Sequence, residues 1–252
     1  MDDFDFERRF GGIRRLYGAE AYVRFQRAHV CIVGVGGVGS WVVEALARSA
    51  IGRLTLIDLD NVAESNVNRQ IHALGDQFGK AKVTAMAERI LAINPRCQVT
   101  QIEDFVTTDN LDQMLDRDYD YVIDAIDSAR VKADMIAWCR RHKVPLIASG
   151  GAGGRIDATR ITLADLSRTV QDPLLSRVRT LLRREYGFPK DPKKKFGVAC
   201  VFSSEPLRRP ETACETGGDA LTGLNCAGFG SAASVTASFG MMMAGEVLKQ
   251  LS

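Results

Sequence analysis

The sequence predicts an α/β fold: a Rossmann-like, doubly wound, mainly parallel sheet, continued by a C-terminal extension of mixed strands and a closing helix. Three observations predict it. A buried apolar strand, Val30 to Val33, enters a glycine turn, Gly34-x-Gly36-x-x-Gly39, and leaves as a helix whose apolar positions Val38, Val42, Val43, Leu46 and Ala47 recur at helical spacing. Nineteen residues after Gly39, a second apolar strand (Leu54 to Ile57) ends in Asp58. From there, strand and helix patterns alternate as far as Ala148.

At 252 residues, 46% hydrophobic and 25% charged, the chain is long enough to bury a full core as one domain. We divide it into an N-terminal helical arm (1–28), a nucleotide-binding core (29–154) and an extension (155–252) containing a basic loop at 176–195. The six cysteines (31, 97, 139, 200, 214, 226) form no Cys-x-x-Cys pair, so neither a zinc clip nor a disulfide framework is indicated, and a reducing cytoplasm suits them. The acidic start, Met1 to Glu7, lacks the basic-then-apolar order of a signal peptide.

In the arm, residues 7 to 27, Arg8, Arg9, Arg14, Arg15, Arg24 and Arg27 alternate with Phe10, Leu16, Tyr17, Tyr22 and Phe25, a helix with one cationic and one apolar face. That face is either simply solvated or delivers an arginine to a neighbouring site. The glycine turn is a phosphate cradle: Gly34 permits the turn, Gly36 leaves room for a phosphate, Gly39 lets helix and strand pack, and free N–H groups at the helix start face the anion. Asp58 is placed to accept a ribose hydroxyl.

The polar run after Asp58 contains Asn66 and Arg69, three apart and therefore on one side of a helical turn. Gly79-Lys80-Ala81-Lys82 opens a helix with apolar positions Val83, Met86, Ala87 and Ile90, stopped by Asn94-Pro95, so Lys82 lies in its first turn. Two fixed cations beside a glycine cradle suit a nucleoside triphosphate rather than a dinucleotide. Cys97 to Ile102 alternates as a third strand, and Tyr119 to Asp124 forms a fourth whose exit carries Asp127. A carboxylate there suits a metal ion on the phosphates; the alternative is that Asp127 caps the helix beginning near Arg130.

A fifth strand, Val144 to Ala148, runs into Ser149-Gly-Gly-Ala-Gly-Gly154, where either a ligand or another chain could approach the backbone closely. Arg160 to Ala164 and Gly197 to Phe202 read as strands. Between Ser176 and Lys195, eight Lys/Arg face two Asp/Glu, a local net of +6 where the whole chain carries +2, as a polyanionic partner would require and as a solvated loop would also show. Polar residues interrupt Ser231 to Leu248 within the ~20 apolar residues a membrane-spanning helix needs, so Val235 to Leu251 reads as a buried closing helix and no stable membrane insertion is expected.

Taken together, Gly34-x-Gly36-Gly37-x-Gly39, Asp58-x-Asp60, Asn66-x-x-Arg69-Gln70, Lys82 and Asp124-x-x-Asp127 resemble the ubiquitin-activating-type adenylating enzymes, in family order from Arg9 to about Gly154. The resemblance implies ATP and Mg2+ as cofactors. It places Gly34, Gly36, Gly37, Gly39, Asp58, Asp60, Asn66, Arg69, Gln70, Lys82 and Asp127 around the nucleotide, with Arg69 and Lys82 on the β- and γ-phosphates and Asp127 on magnesium. It also implies a homodimer. A family arginine that reaches across that dimer stands where this chain has Gly12; Arg14 or Arg15 takes its place, and Arg15 is the candidate catalytic residue.

Arg9-Phe10-Gly11-Gly12, Arg15-Leu16-Tyr17-Gly18, Asn68-Arg69-Gln70-Ile71-His72-Ala73-Leu74 and Gln171-Asp172-Pro173-Leu174 are most similar to the tRNA-modifying branch of that family. This implies adenylation of the threonyl carboxylate of N6-threonylcarbamoyladenosine beside the anticodon, followed by ring closure without a protein nucleophile. One rival is adenylation of a ubiquitin-like sulfur carrier, with a cysteine-desulfurase or sulfur-acceptor partner and a cysteine such as Cys226; the missing Cys-x-x-Cys zinc pairs weaken it. A second rival is a nucleotide-binding scaffold without turnover.

Overall fold

The computed structural model describes residues 5–116, 118–208 and 229–252. Cys214 and Cys226 lie outside them. Seven strands form one sheet in the order β3-β2-β1-β4-β5-β7-β6: β1 His29–Val33, β2 Arg53–Ile57, β3 Gln98–Ile102, β4 Tyr121–Asp124, β5 Leu146–Ser149, β6 Ile161–Asp165 and β7 Ala199–Ser203. All neighbours are parallel except β6 and β7. The strand order turns back between β1 and β4, where open sheets of this kind bind ligands beyond the strand ends.

Strand alternation sends side chains into two helical layers. Val30 and Ile32 of β1 join the core built with α2 (Ala19–Arg27), α3 (Gly39–Ala47), α4 (Lys82–Ile93) and α8 (Ala233–Leu251). Cys31 and Val33 face α5 (Leu111–Leu115) and α6 (Ala129–His142) on the other side. Farther along the sheet, Ala148, Cys200 and Phe202 are covered by α6 and α7 (Pro173–Glu185). Among the described residues no helix is long and apolar enough to cross a membrane.

The predicted strands are present within a residue or two of their expected positions, and three regions differ. The arm is two helices, α1 (Phe6–Tyr17) and α2, separated at Gly18, whose φ of 90° breaks the helix. Half of the expected basic loop, Ser176 to Glu185, is helical: Asp172 caps α7 through the Leu175 N–H, Pro173 starts it, and Leu174, Leu175, Val178 and Leu182 are buried, an apolar stripe that the arginines mask in the sequence. The short α5 was not anticipated. In addition, the glycine run after β5 is approached by its own chain: a side chain on Gly150 would collide with Asp172, whose carboxylate accepts the Gly151 N–H at 2.9 Å.

The closing helix matters to the site because it packs directly on α3. Val235, Phe239, Met243 and Val247 of α8 are fully buried. At Gly240 a Cβ would stand 2.7 Å from the Val38 carbonyl oxygen and 2.7 Å from the Trp41 Cβ. Gly240→Ala should therefore destabilise the protein by about 1–2 kcal/mol, because overpacking against backbone (~1–3 kcal/mol) outweighs the ~1 kcal/mol helix-propensity gain. Gly245, with no atom within 4 Å of such a Cβ, supplies the control. Urea midpoints should fall for Gly240→Ala and hold or rise for Gly245→Ala.

Candidate functional site

Register brings the site together. Val33 pairs with Ile57 on one side and Asp124 on the other, so the glycine turn, Asp58 and the segment to Asp127 leave the sheet at one edge. The turn is fixed at both ends: the Gly34 N–H donates to the Ile57 carbonyl at 2.9 Å, and the Val35 N–H to Asp58 Oδ2 at 2.6 Å. Gly34 has a φ of 88° with the Ala125 carbonyl 3.0 Å from where its Cβ would lie, and a Cβ on Gly39 would run into the Gly34 carbonyl. These two glycines serve the fold. Gly36 differs, because the nearest atom to its Cβ position is the Gln70 amide nitrogen at 4.0 Å, which leaves open space over the turn.

Asp58 holds the glycine turn as well as standing where a ribose acceptor is expected. Its Oδ1 accepts the Asp60 N–H at 2.9 Å, and it is buried. Burial pushes its carboxyl above the ordinary range even though Lys82 opposes the shift. Lys82 begins α4 as predicted, and the chain brings it back to the β2 exit through a small antiparallel bridge between Asn61 and Ala81 and a bond from its N–H to the Asp60 carbonyl. Its ammonium is buried and pairs with Asp60 at 2.6 Å, with Asp58 4.0 Å away.

Asn66 to Gln70 forms the expected helical turn: the Asn66 carbonyl accepts from both Arg69 and Gln70, and the Asn66 side chain accepts the Ala63 N–H. Arg69 donates to the Ser65 carbonyl and Asn68, and no carboxylate among the described residues pairs with it; burial alone lowers its pKa. The Arg69 carbonyl is held from two helices, by Trp41 Nε1 of α3 at 3.0 Å and Thr236 Oγ1 of α8 at 3.3 Å. Sequence reasoning missed both; Thr236 read only as a polar interruption of an apolar helix. Gln70 is buried, and its Oε1 has no partner.

Asp127 is exposed and engages no hydrogen bond or ion pair among the described residues. It does not cap α6, whose N-cap position is Ser128 with no side-chain cap bond. Beneath it, Asp124 and Lys132 form a fully buried pair at 2.7 Å that the sequence did not suggest, with burial raising the Asp124 carboxyl against the pull of Lys132. Arg15 is not brought to this site. It is exposed on α1, whose Arg9 grips the carbonyls of Ala92 and Ile93, at the end of α4 opposite Lys82 and roughly 15 Å along the helix.

Among the described residues, open space over Gly36 with the Gln70 amide nitrogen at its edge, an arginine without a carboxylate and an unengaged carboxylate converge at the β1–β4 switch. That set fits a nucleotide's phosphates. No cluster of three metal-ligating side chains occurs among the described residues. The four described cysteines are buried, and burial pushes the Cys97 thiol up to about 12 and raises those of Cys139 and Cys200, which disfavours a reactive thiolate there.

A parallel sheet with this cradle defines a nucleotide-binding α/β protein, and the chain belongs to the ThiF family, whose model matches residues 12–252. A tRNA threonylcarbamoyladenosine dehydratase from Haemophilus influenzae is 50% identical over 98% of this chain and 94% of its own length. The Escherichia coli tRNA threonylcarbamoyladenosine dehydratase is 51% identical over 98% of this chain and 94% of its own length. Its crystal structure in complex with ATP matches this fold with a TM-score of 0.89, covering 98% of this chain and 94% of that one, and the complex with AMP gives 0.88. A molybdopterin-synthase adenylyltransferase from Salmonella typhimurium is more distant, 32% identical over 56% of this chain and 55% of its own.

His72 lies in the same motif run and is buried with neither ring nitrogen bonded; burial, aided by Lys82 and Arg89, lowers its pKa to about 4. The folded pKa is below the unfolded value of ~6.5, so the unfolded chain takes up the proton first and stability is lost as pH falls from about 6.5 toward 4. We expect roughly 2 kcal/mol of this loss between pH 7.5 and pH 5. Urea titrations at both pH values should show it in the parent and a smaller loss in His72→Leu.

Proposed function

We propose that this chain is an ATP-dependent tRNA threonylcarbamoyladenosine dehydratase. The observation that carries the reading is half identity to such enzymes over nearly the whole chain, with an open phosphate cradle at the β1–β4 switch. Adenylation of a sulfur carrier is the weaker reading, since the likeness to that branch spans about half the chain.

ATP supplies the adenylyl group that turns a threonyl carboxylate oxygen into a leaving group. The protein's part is charge neutralisation and positioning. Backbone N–H groups of Gly36 to Gly39, past the two that hold the turn, face the phosphates, Gly36 and Gly37 giving them room, while Asp58 and Asp60 stand on the ribose side. Asn66 keeps the Arg69 turn in shape, and Gln70 has its amide nitrogen beside the open space at Gly36, where it can donate to the nucleotide. Arg69 meets the β- and γ-phosphates directly. Lys82, neutralised by Asp60 at 2.6 Å, adds its charge as a phosphate displaces part of that pairing. Asp127, unengaged among the described residues, would hold a magnesium ion, which would supply further neutralisation of phosphate charge. The modified base's own nucleophile then closes the ring by displacing AMP from the adenylated carboxylate, with no protein nucleophile needed.

Arg15 acts in trans in a homodimer, supported by its exposure on α1 beside Leu16, which is 76% exposed. Light scattering should then give twice the 27.6 kDa chain mass. A cytoplasmic location suits a tRNA substrate and the free thiols of Cys31, Cys97, Cys139 and Cys200.

Nucleoside mass analysis of total tRNA, with and without the protein, tests the reaction; an unchanged threonylcarbamoyladenosine profile rejects it. Asp127→Ala and Arg69→Ala should each lower AMP formation by about 100-fold, the usual cost of losing one preorganised charge (~3 kcal/mol). Near-normal AMP release from Asp127→Ala would remove magnesium from that side chain.

A further inference from the structure

A cleft of about 390 Å³ opens between α6 and α7, lined by Ala129, Arg130, Ser176, Arg177, Thr180 and Leu181. It begins two residues after Asp127, less than ~8 Å of backbone away. Its volume is at the small end of the ~300–1,000 Å³ typical of small-ligand sites. The lining contains two arginines and no carboxylate, and the arginines are in different states. Arg130 is held edge-on by two acids outside the lining, Asp134 at 3.3 Å and Glu185. Its charge is spent, yet its side chain remains 49% exposed, so a guanidinium face is open. Arg177 is exposed and engages no hydrogen bond or ion pair among the described residues, so its charge is uncompensated. Between them lie two hydroxyls and the apolar Ala129 and Leu181.

A fixed guanidinium plane suits a base face, a free guanidinium suits a phosphate, and hydroxyls suit a ribose. We propose that this cleft is a subsite for a nucleotide of the tRNA flanking the modified adenosine, its phosphate on Arg177 and its base against Arg130 and Leu181. The proposal rests on the reaction assigned above. It separates phosphate gripping, which any RNA engages, from seating of one unstacked nucleotide beside Asp127, which orients the reacting one.

The test measures binding of a labelled anticodon stem-loop RNA across a salt titration, with ATP affinity measured alongside. Arg177→Ala should weaken RNA binding about 10-fold and reduce the log–log salt slope by ~0.7, one single-strand phosphate contact. Arg130→Lys keeps both ion pairs but loses the plane; it should weaken binding about 10-fold, the size of one base stack, with the slope unchanged. ATP affinity should match the parent in both. If the parent converts tRNA and both variants bind RNA within about two-fold of it, the subsite is wrong while the reaction stands. If free UMP binds in an Arg177-dependent way and RNA binding ignores both variants, the cleft serves a free nucleotide and the proposal falls. A parent that leaves threonylcarbamoyladenosine unconverted rejects the reaction and this subsite with it.

Discussion

The bond from the Val35 N–H to the Asp58 carboxylate, 2.6 Å long, is the constraint on which the rest of the site depends. It ties the glycine turn to the end of β2 while the Asp60 N–H binds the other carboxylate oxygen. One buried acid thereby sets the turn, the start of the polar loop and the placement of Lys82 together. Burying that acid is costly, and burial does raise its pKa; two backbone donors and a nearby ammonium offset the cost. The site is thus built from groups that would be unfavourable singly and are stable as a set.

The charge pattern follows the same logic. An ammonium left bare in a buried place is costly, and one locked to a buried acid is unavailable to a ligand. Lys82 solves this with Asp60, a partner whose side chain is 55% exposed and can turn to solvent, whereas Lys132 and Asp124 are both fully buried and fixed. The first pair can exchange partners; the second supports the floor below Asp127.

Much of this was legible in the chain. The strand–glycine–helix order, the acid at the end of β2 and the cations at positions 69 and 82 depend on local spacing, and local spacing is what a sequence displays. The less legible parts depend on contacts between distant residues. The hold of Thr236 and Trp41 on the Arg69 carbonyl joins three elements, and no periodicity marks it. Helix α7 was hidden because three of its four arginines, Arg179, Arg183 and Arg184, pair or stack instead of merely solvating it; Arg183, for example, lies over Phe196 at 5.1 Å. The glycines at 150 and 151 looked like space for a visitor, and Asp172 of the same chain fills it. Asp127 could have been a cap, and only the placement of Ser128 at the head of α6 excludes that.

The contact between Thr236 and Arg69 spans 167 positions of chain. During synthesis at ~5–20 residues per second, Arg69 therefore waits roughly 10–30 s for the helix that steadies it. Over that interval the nascent polypeptide carries a glycine turn, its acid and an Arg69 carbonyl held from α3 by Trp41 alone, and α3 leaves Val42 and Leu46 without the cover that α8 later brings. A ribosome-bound intermediate that lacks α8 would be sticky toward other chains, and a chaperone would find its purchase on the bare flank of α3.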